Sequence, residues 1–156
     1  MVKKFLILAI NIYFAQTNFN NMKRLFSTKY SAVSFNVAML LLRIVSGALI
    51  MNHGYDKLIH FSERKATFMN FVGLGSTSSL ALVIFAEFFC GLFLIIGLLT
   101  RAVAIPLVIA MAVALIHAHG ADFFGQGEKA ALFLVAFFSI FLLGPGKASI
   151  DGMIGK

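Results

Sequence analysis

The stretch AMLLLRIVSGALIMNHG, residues 38–54, decides the fold. Only Arg43, Ser46, Asn52 and His53 interrupt its apolar and glycine positions. Extended back to Ser34 and closed by Gly54, it predicts a first membrane span at about residues 34–53. About 20 helical residues, each rising about 1.5 Å, cover the roughly 30 Å of a bilayer's hydrocarbon core. Helices are the form such a segment takes, because hydrocarbon offers no water to unpaired backbone groups.

The rest of the 156-residue chain is of the same kind: 60% of it is hydrophobic and 12% charged, with a mean hydropathy of +0.95. Soluble domains carry roughly 25% charged residues, so this chain has too little charge to cover a surface facing water. Its net charge of +7 comes from Lys and Arg scattered between apolar runs. That scatter makes no basic stripe and excludes a nucleic-acid partner. A basic cytoplasmic side produces the same excess in a membrane protein. The single cysteine, Cys90, excludes an internal disulfide and any CxxC motif.

Further spans are expected at about 79–99, 102–118 and 128–143. The fold class is therefore all-α, an integral membrane four-helix bundle whose main partner is the lipid bilayer. Thr100-Arg101 is too short to do more than turn the chain, so the second and third spans pack antiparallel. Pro106 falls in the first turns of the third span, where a missing N–H costs least. Gly144-Pro145-Gly146 stops the fourth. In the 55–78 connection, Leu58, Phe61, Phe68, Met69 and Val72 share a helical face opposite Glu63, Thr67 and Asn70, which predicts a short interfacial helix.

Upstream of the first span, Lys3 and Lys4 precede an apolar run from Phe5 to Ala15 that is too short to cross. No clean cleavage site follows it. Met22-Lys23-Arg24 reads as a natural start, so residues 1–21 are expected to be an N-terminal extension and 22–156 the single domain. With the N-terminus inside, the cytoplasmic face holds Lys23, Arg24, Lys29, Arg101, Lys147 and Lys156. The outer face holds Lys57, Arg64, Lys65 and Lys129. The balance favours both termini inside.

Two charges lie deep in the spans. Arg43 is about ten residues from the outer end of its span and Glu87 about eight, a difference in depth of roughly 3 Å. A buried charge needs a partner, and these two are expected to pair. Around them, Asn36, Met39, Arg43, Ser46, Gly47, Ile50 and Gly54 form one stripe. Glu87, Cys90, Gly91, Leu94, Leu98 and Arg101 form another. Small residues one turn beyond each charge let the helices approach. The pair either fixes helix register or, with Ser46 and Cys90, surrounds a small ligand. Cys90 also reads simply as a small packing residue. A second polar group gathers at the outer ends: His53, Lys57, His117, His119 and Glu128. No metal site is assigned, since the spacing lacks an HxxxH or HxxE pattern. These residues form either solvated helix ends or the mouth of a cavity.

At Leu41-Leu42-Arg43-Ile44 with Gly47, and at His53-Gly54-Tyr55-Asp56-Lys57-Leu58, the chain resembles the DoxX family. The resemblance continues through Ala86-Glu87-Phe88-Phe89-Cys90-Gly91 and Gly97-Leu98-Leu99-Thr100-Arg101. It ends with His117 onward, Gly144-Pro145-Gly146-Lys147 and Ser149-Ile150-Asp151. Cys90 stands where the family usually has a second glycine. The resemblance implies a four-helix protein of the bacterial plasma (inner) membrane, with relatives in thiosulfate:quinone oxidoreductase and in oxidative-stress or sulfur metabolism. It implies quinone as a ligand and protein partner subunits or a homo-oligomer. Three functions stay open: a redox membrane subunit binding quinone or anchoring a partner, a non-enzymatic scaffold, and a small-molecule or proton transporter.

Overall fold

Apolar runs with no internal water must close their own hydrogen bonds, and in the computed structural model, which describes residues 27–155, each run does so as a helix. The helices are α1 (Ala32–Ile59), α2 (Phe61–Arg64), α3 (Ser76–Ile96), α4 (Thr100–Ala118), α5 (Glu128–Leu143) and α6 (Ile150–Ile154). Among the described residues there is no strand. α1, α3 and α4 are long and apolar enough to cross a membrane, whereas α5 has 16 residues. The expectations for residues 1–21, the start at Met22, and Lys23 and Arg24 lie outside the described residues.

Gly54 does not end the first helix, which runs on to Ile59. The glycine is there for packing. A Cβ on it would lie 2.5 Å from the backbone nitrogen of Phe88, so only a glycine lets α1 and α3 touch at this level. α1 buries Met39, Arg43, Ser46, Gly47, Ile50 and Gly54, the stripe its spacing predicts except for Asn36, which is only partly buried. It meets α3 antiparallel, with Gly47 against Gly91 and Ile95, and Gly54 against Glu87 and Phe88. α3 stops at Ile96 because Gly97 takes a left-handed conformation, and the Gly97 and Leu98 amides both donate to the Phe93 carbonyl. α4 then returns beside α3 and α5 packs along α4. Leu94, Leu107, Phe137 and Ile140 fill the core. Pro106 lies inside α4, which begins two residues earlier than the spacing predicts.

The connection after α1 is not one amphipathic helix. After the four-residue α2 the chain turns through Val72, Gly73 and Gly75, all at positive φ. The Phe71 amide donates to Ser79 Oγ at 3.0 Å and the Gly75 amide to Asn70 Oδ1 at 2.7 Å, tying the turn to the start of α3. At the other end, the segment after α5 stitches helices together. The Lys147 amide donates to Asn36 Oδ1 (2.6 Å), and the Leu99 and Thr100 amides donate to Asp151 (2.8 Å each). Asp151 thereby caps α4, and its own amide donates to the Gly97 carbonyl at 2.9 Å.

Candidate functional site

The two deep charges do not meet. Glu87 pairs with Lys57, whose Nζ lies 2.6 Å from Oε2, with both side chains largely withdrawn from solvent. Arg43 is fully buried and donates from Nη2 to the Ala148 carbonyl at 2.6 Å. The expected Arg43–Glu87 contact fails because of register. Glu87 sits beside Gly54, and Arg43 is about three turns away along α1, roughly 16 Å. Treating Gly54 as the end of the span put the two charges at one depth. The extra turn of α1 carries Lys57 to Glu87 instead. Arg43 belongs to the other end of the molecule, where its guanidinium fills the space that a Cβ on Gly97 would need. Its Nε and Nη1 have no hydrogen-bond partner.

The Lys57–Glu87 pair stands in the wall of a cavity of about 500 Å³. The other polar groups lining it are His53, His119, Gln126 and Lys129. His119 Nδ1 is buried and has no hydrogen-bond partner. Apolar surface comes from Ile50, Val83, Met111 and Phe133, and from Phe68 and Met69 in the connection after α2. Two π-helical turns shape the space. Phe85–Cys90 carries Glu87, and Ala114–Ala118 contributes Ala114 and Ala118 to the lining. Such wide turns interrupt a helix and often mark sites where function overrides regular geometry. A 500 Å³ pocket with a few convergent polar groups suits a ligand of modest size.

Of the residues singled out from sequence, the cavity gathers Glu87, Lys57, His53 and His119. It leaves out Arg43, Ser46, Cys90, His117 and Glu128. Ser46 turns its hydroxyl to the Leu42 carbonyl of its own helix, at 2.5 Å. Cys90 is buried in the core cluster. The His117 and Phe71 rings meet in a T-shaped contact, with centroids 6.1 Å apart, and Glu128 is exposed. Sequence reasoning missed Gln126, Phe68 and Met69, which come from connections whose folding no periodicity announces. The partnership of Lys57 with Glu87 left a signal: Ile50, His53, Gly54 and Lys57 recur at helical spacing past the supposed stop.

No solved structure matches the chain. A relative in Bacillus subtilis (strain 168), named "Putative oxidoreductase CatD", is 30% identical over 125 residues, covering 79% of this chain and 91% of the relative. The DoxX family matches residues 38–120, which include most of α1, the cavity's ion pair and α4. With that match, the relative and three helices apolar enough to span a bilayer, the chain belongs to the DoxX family and is a membrane protein.

Proposed function

We propose that this chain is an inner-membrane subunit of a redox system that binds the head of a quinone in the cavity walled by Lys57 and Glu87. One observation carries the proposal: a cavity of about 500 Å³ among apolar helices, mostly apolar but with a few convergent polar side chains and an ion pair in its wall. Ionisable side chains inside a membrane are costly and mark ligand or proton sites. Lys57 and His119 supply donors for a carbonyl oxygen, and Glu87 with His53 supplies groups able to hold and pass protons. A quinone requires both, because each electron it gains is matched by a proton. The electrons come from a partner protein, which the membrane subunit anchors. The oxidoreductase name of the Bacillus subtilis relative is of the same reaction class.

The test is purification in mild detergent, extraction of co-purifying quinone, and equilibrium binding of a labelled decyl-benzoquinone in nanodiscs. Binding weakened at least roughly tenfold by Glu87→Gln, the value of one charge-assisted hydrogen bond, supports the proposal. A folded protein that neither retains nor binds quinone overturns it. The scaffold function predicts that Glu87→Gln impairs only folding and partner assembly.

A further inference from the structure

We infer that the apolar groove between α1 and α5 holds the tail of the quinone whose head occupies the polar cavity; this rests on the quinone proposal above. The groove has a volume of about 470 Å³ and shares His53, Lys129 and Phe133 with the polar cavity, so the two adjoin across these side chains. Beyond that junction its walls are Leu42, Val45 and Leu49 of α1 and Leu132 and Ala136 of α5. Ser46 adds no free polarity, because its hydroxyl is spent on the Leu42 carbonyl.

The stripe from Leu42 to His53 covers about three turns, roughly 16 Å. That is about half the hydrocarbon thickness. The groove is therefore polar at one end only and runs from the cavity mouth toward the middle of the bundle. Val45, Leu49 and Leu132 are each more than half exposed, so the groove lies open to the side, where lipid is. A ligand reaching the cavity by this route needs a compact head and a single apolar tail. The head is uncharged: Glu87 neutralises Lys57 inside, and Lys129 sits exposed at the mouth. A carbonyl-bearing ring meets those terms better than a phosphate, and one stripe of side chains suits one tail better than the paired chains of a phospholipid. A smaller apolar opening of about 250 Å³ between α3 and α4 also meets the cavity; it is the competing exit.

The experiment uses the full chain in nanodiscs with two probes, tail-less benzoquinone and its decyl form, the latter also with a diazirine at the end of the tail. Photo-adducts are expected on α1 near Leu49 and on α5 near Ala136, competed by unlabelled decyl-benzoquinone and not by added phospholipid. Ala136→Phe is expected to weaken decyl-benzoquinone binding roughly tenfold, the loss of about two buried methylenes, and to leave tail-less benzoquinone within about twofold. Leu49→Trp, on the facing wall, gives the same result if Ala136→Phe fails to fold. Ile105→Phe, on a lipid-facing part of α4, changes neither. Adducts at Leu82 and Ile109 in the α3–α4 opening, equal competition by phospholipid, or unchanged affinity in both groove variants overturns the groove assignment alone. Failure of both probes to bind the wild type overturns the quinone proposal and the groove with it.

Discussion

Lys57 and Glu87 illustrate what a buried pair costs when half of it is removed. The two side chains partner each other at 2.6 Å, away from most of the solvent. Glu87→Gln strands the lysine, and the expected loss of folding stability is about 3 kcal/mol. The double variant Lys57→Met with Glu87→Leu removes both charges and is expected to regain most of the thermal midpoint while quinone binding stays lost. Were the double variant to bind as the wild type does, the pair would be a structural bolt and no more. Asp151 makes a different prediction at this scale. Partial burial pushes its carboxyl up, but the hydrogen bonds from Thr100 and Leu99 and the charge of Arg43 outweigh that and hold it below the usual carboxylate range. A depressed carboxylate adds stability that is fully present above its ordinary value of about 3.9 and is lost as pH falls through the lower folded value. Asp151→Asn, which removes the charge that caps α4, is expected to cost about 1 kcal/mol at neutral pH. The gap between the two melting curves stays constant above about pH 5 and closes as pH drops below about 4. A gap that ignored pH would show that the carboxylate's charge contributes nothing.

Between α1 and α3, glycines set the register, and the register decides which charges meet. An alanine at Gly54 would put its Cβ 2.5 Å from the Phe88 nitrogen, which is backbone and cannot swing aside. At Gly91 the nearest atom is Ile50 Cγ2 at 3.0 Å, the end of a side chain that can shift. Gly54→Ala is expected to cost about 3 kcal/mol and Gly91→Ala about 1, read as thermal midpoints in detergent. The reverse order would mean that the two helices meet at another level. The faces of these helices were legible in the sequence. Burial of Met39, Arg43, Ser46, Gly47, Ile50 and Gly54 follows directly from a period of 3.6. The offset between helices was not legible, because spacing within one helix carries no information on where its neighbour begins. Gly54 was the decisive ambiguity. Glycine is both a common helix stop and the residue that permits close helix contact, and only the facing backbone tells the two apart. The cavity was legible in its helical lining, His53, Lys57 and Glu87. Phe68, Met69 and Gln126 were not, because turns at Val72, Gly73 and Gly75 bring the first two over it and a connection brings the third.

In the molecule as a whole, α5 is short for a bilayer-crossing helix, since its 16 residues span only about 24 Å. We propose that α5 nonetheless crosses the bilayer, with both termini inside. Its first turn lines the cavity beside His53 and Lys57, at the end of α1. The segment that follows its last turn bonds to Asn36 and Arg43 near the start of α1, and to the α3–α4 turn. If α1, α3 and α4 cross, α5 therefore joins opposite faces of the same bundle. Its outward side chains Leu132, Val135, Phe138 and Leu142 are at least half exposed, a continuous apolar strip that water would penalise and lipid would not. The structure also sharpens the charge argument for orientation. Lys57 sits in the cavity wall and not in a loop, which thins the basic side chains of the proposed outer face while Arg101 and Lys147 remain on the other. Cysteine accessibility tests both points, because the native Cys90 is buried. Ala66→Cys is expected to react with a membrane-impermeant maleimide in intact spheroplasts, and Met153→Cys only after permeabilisation. Labelling of both from the same side would leave α5 lying on the surface with three crossings. Labelling of Met153→Cys alone would keep four crossings and invert the protein.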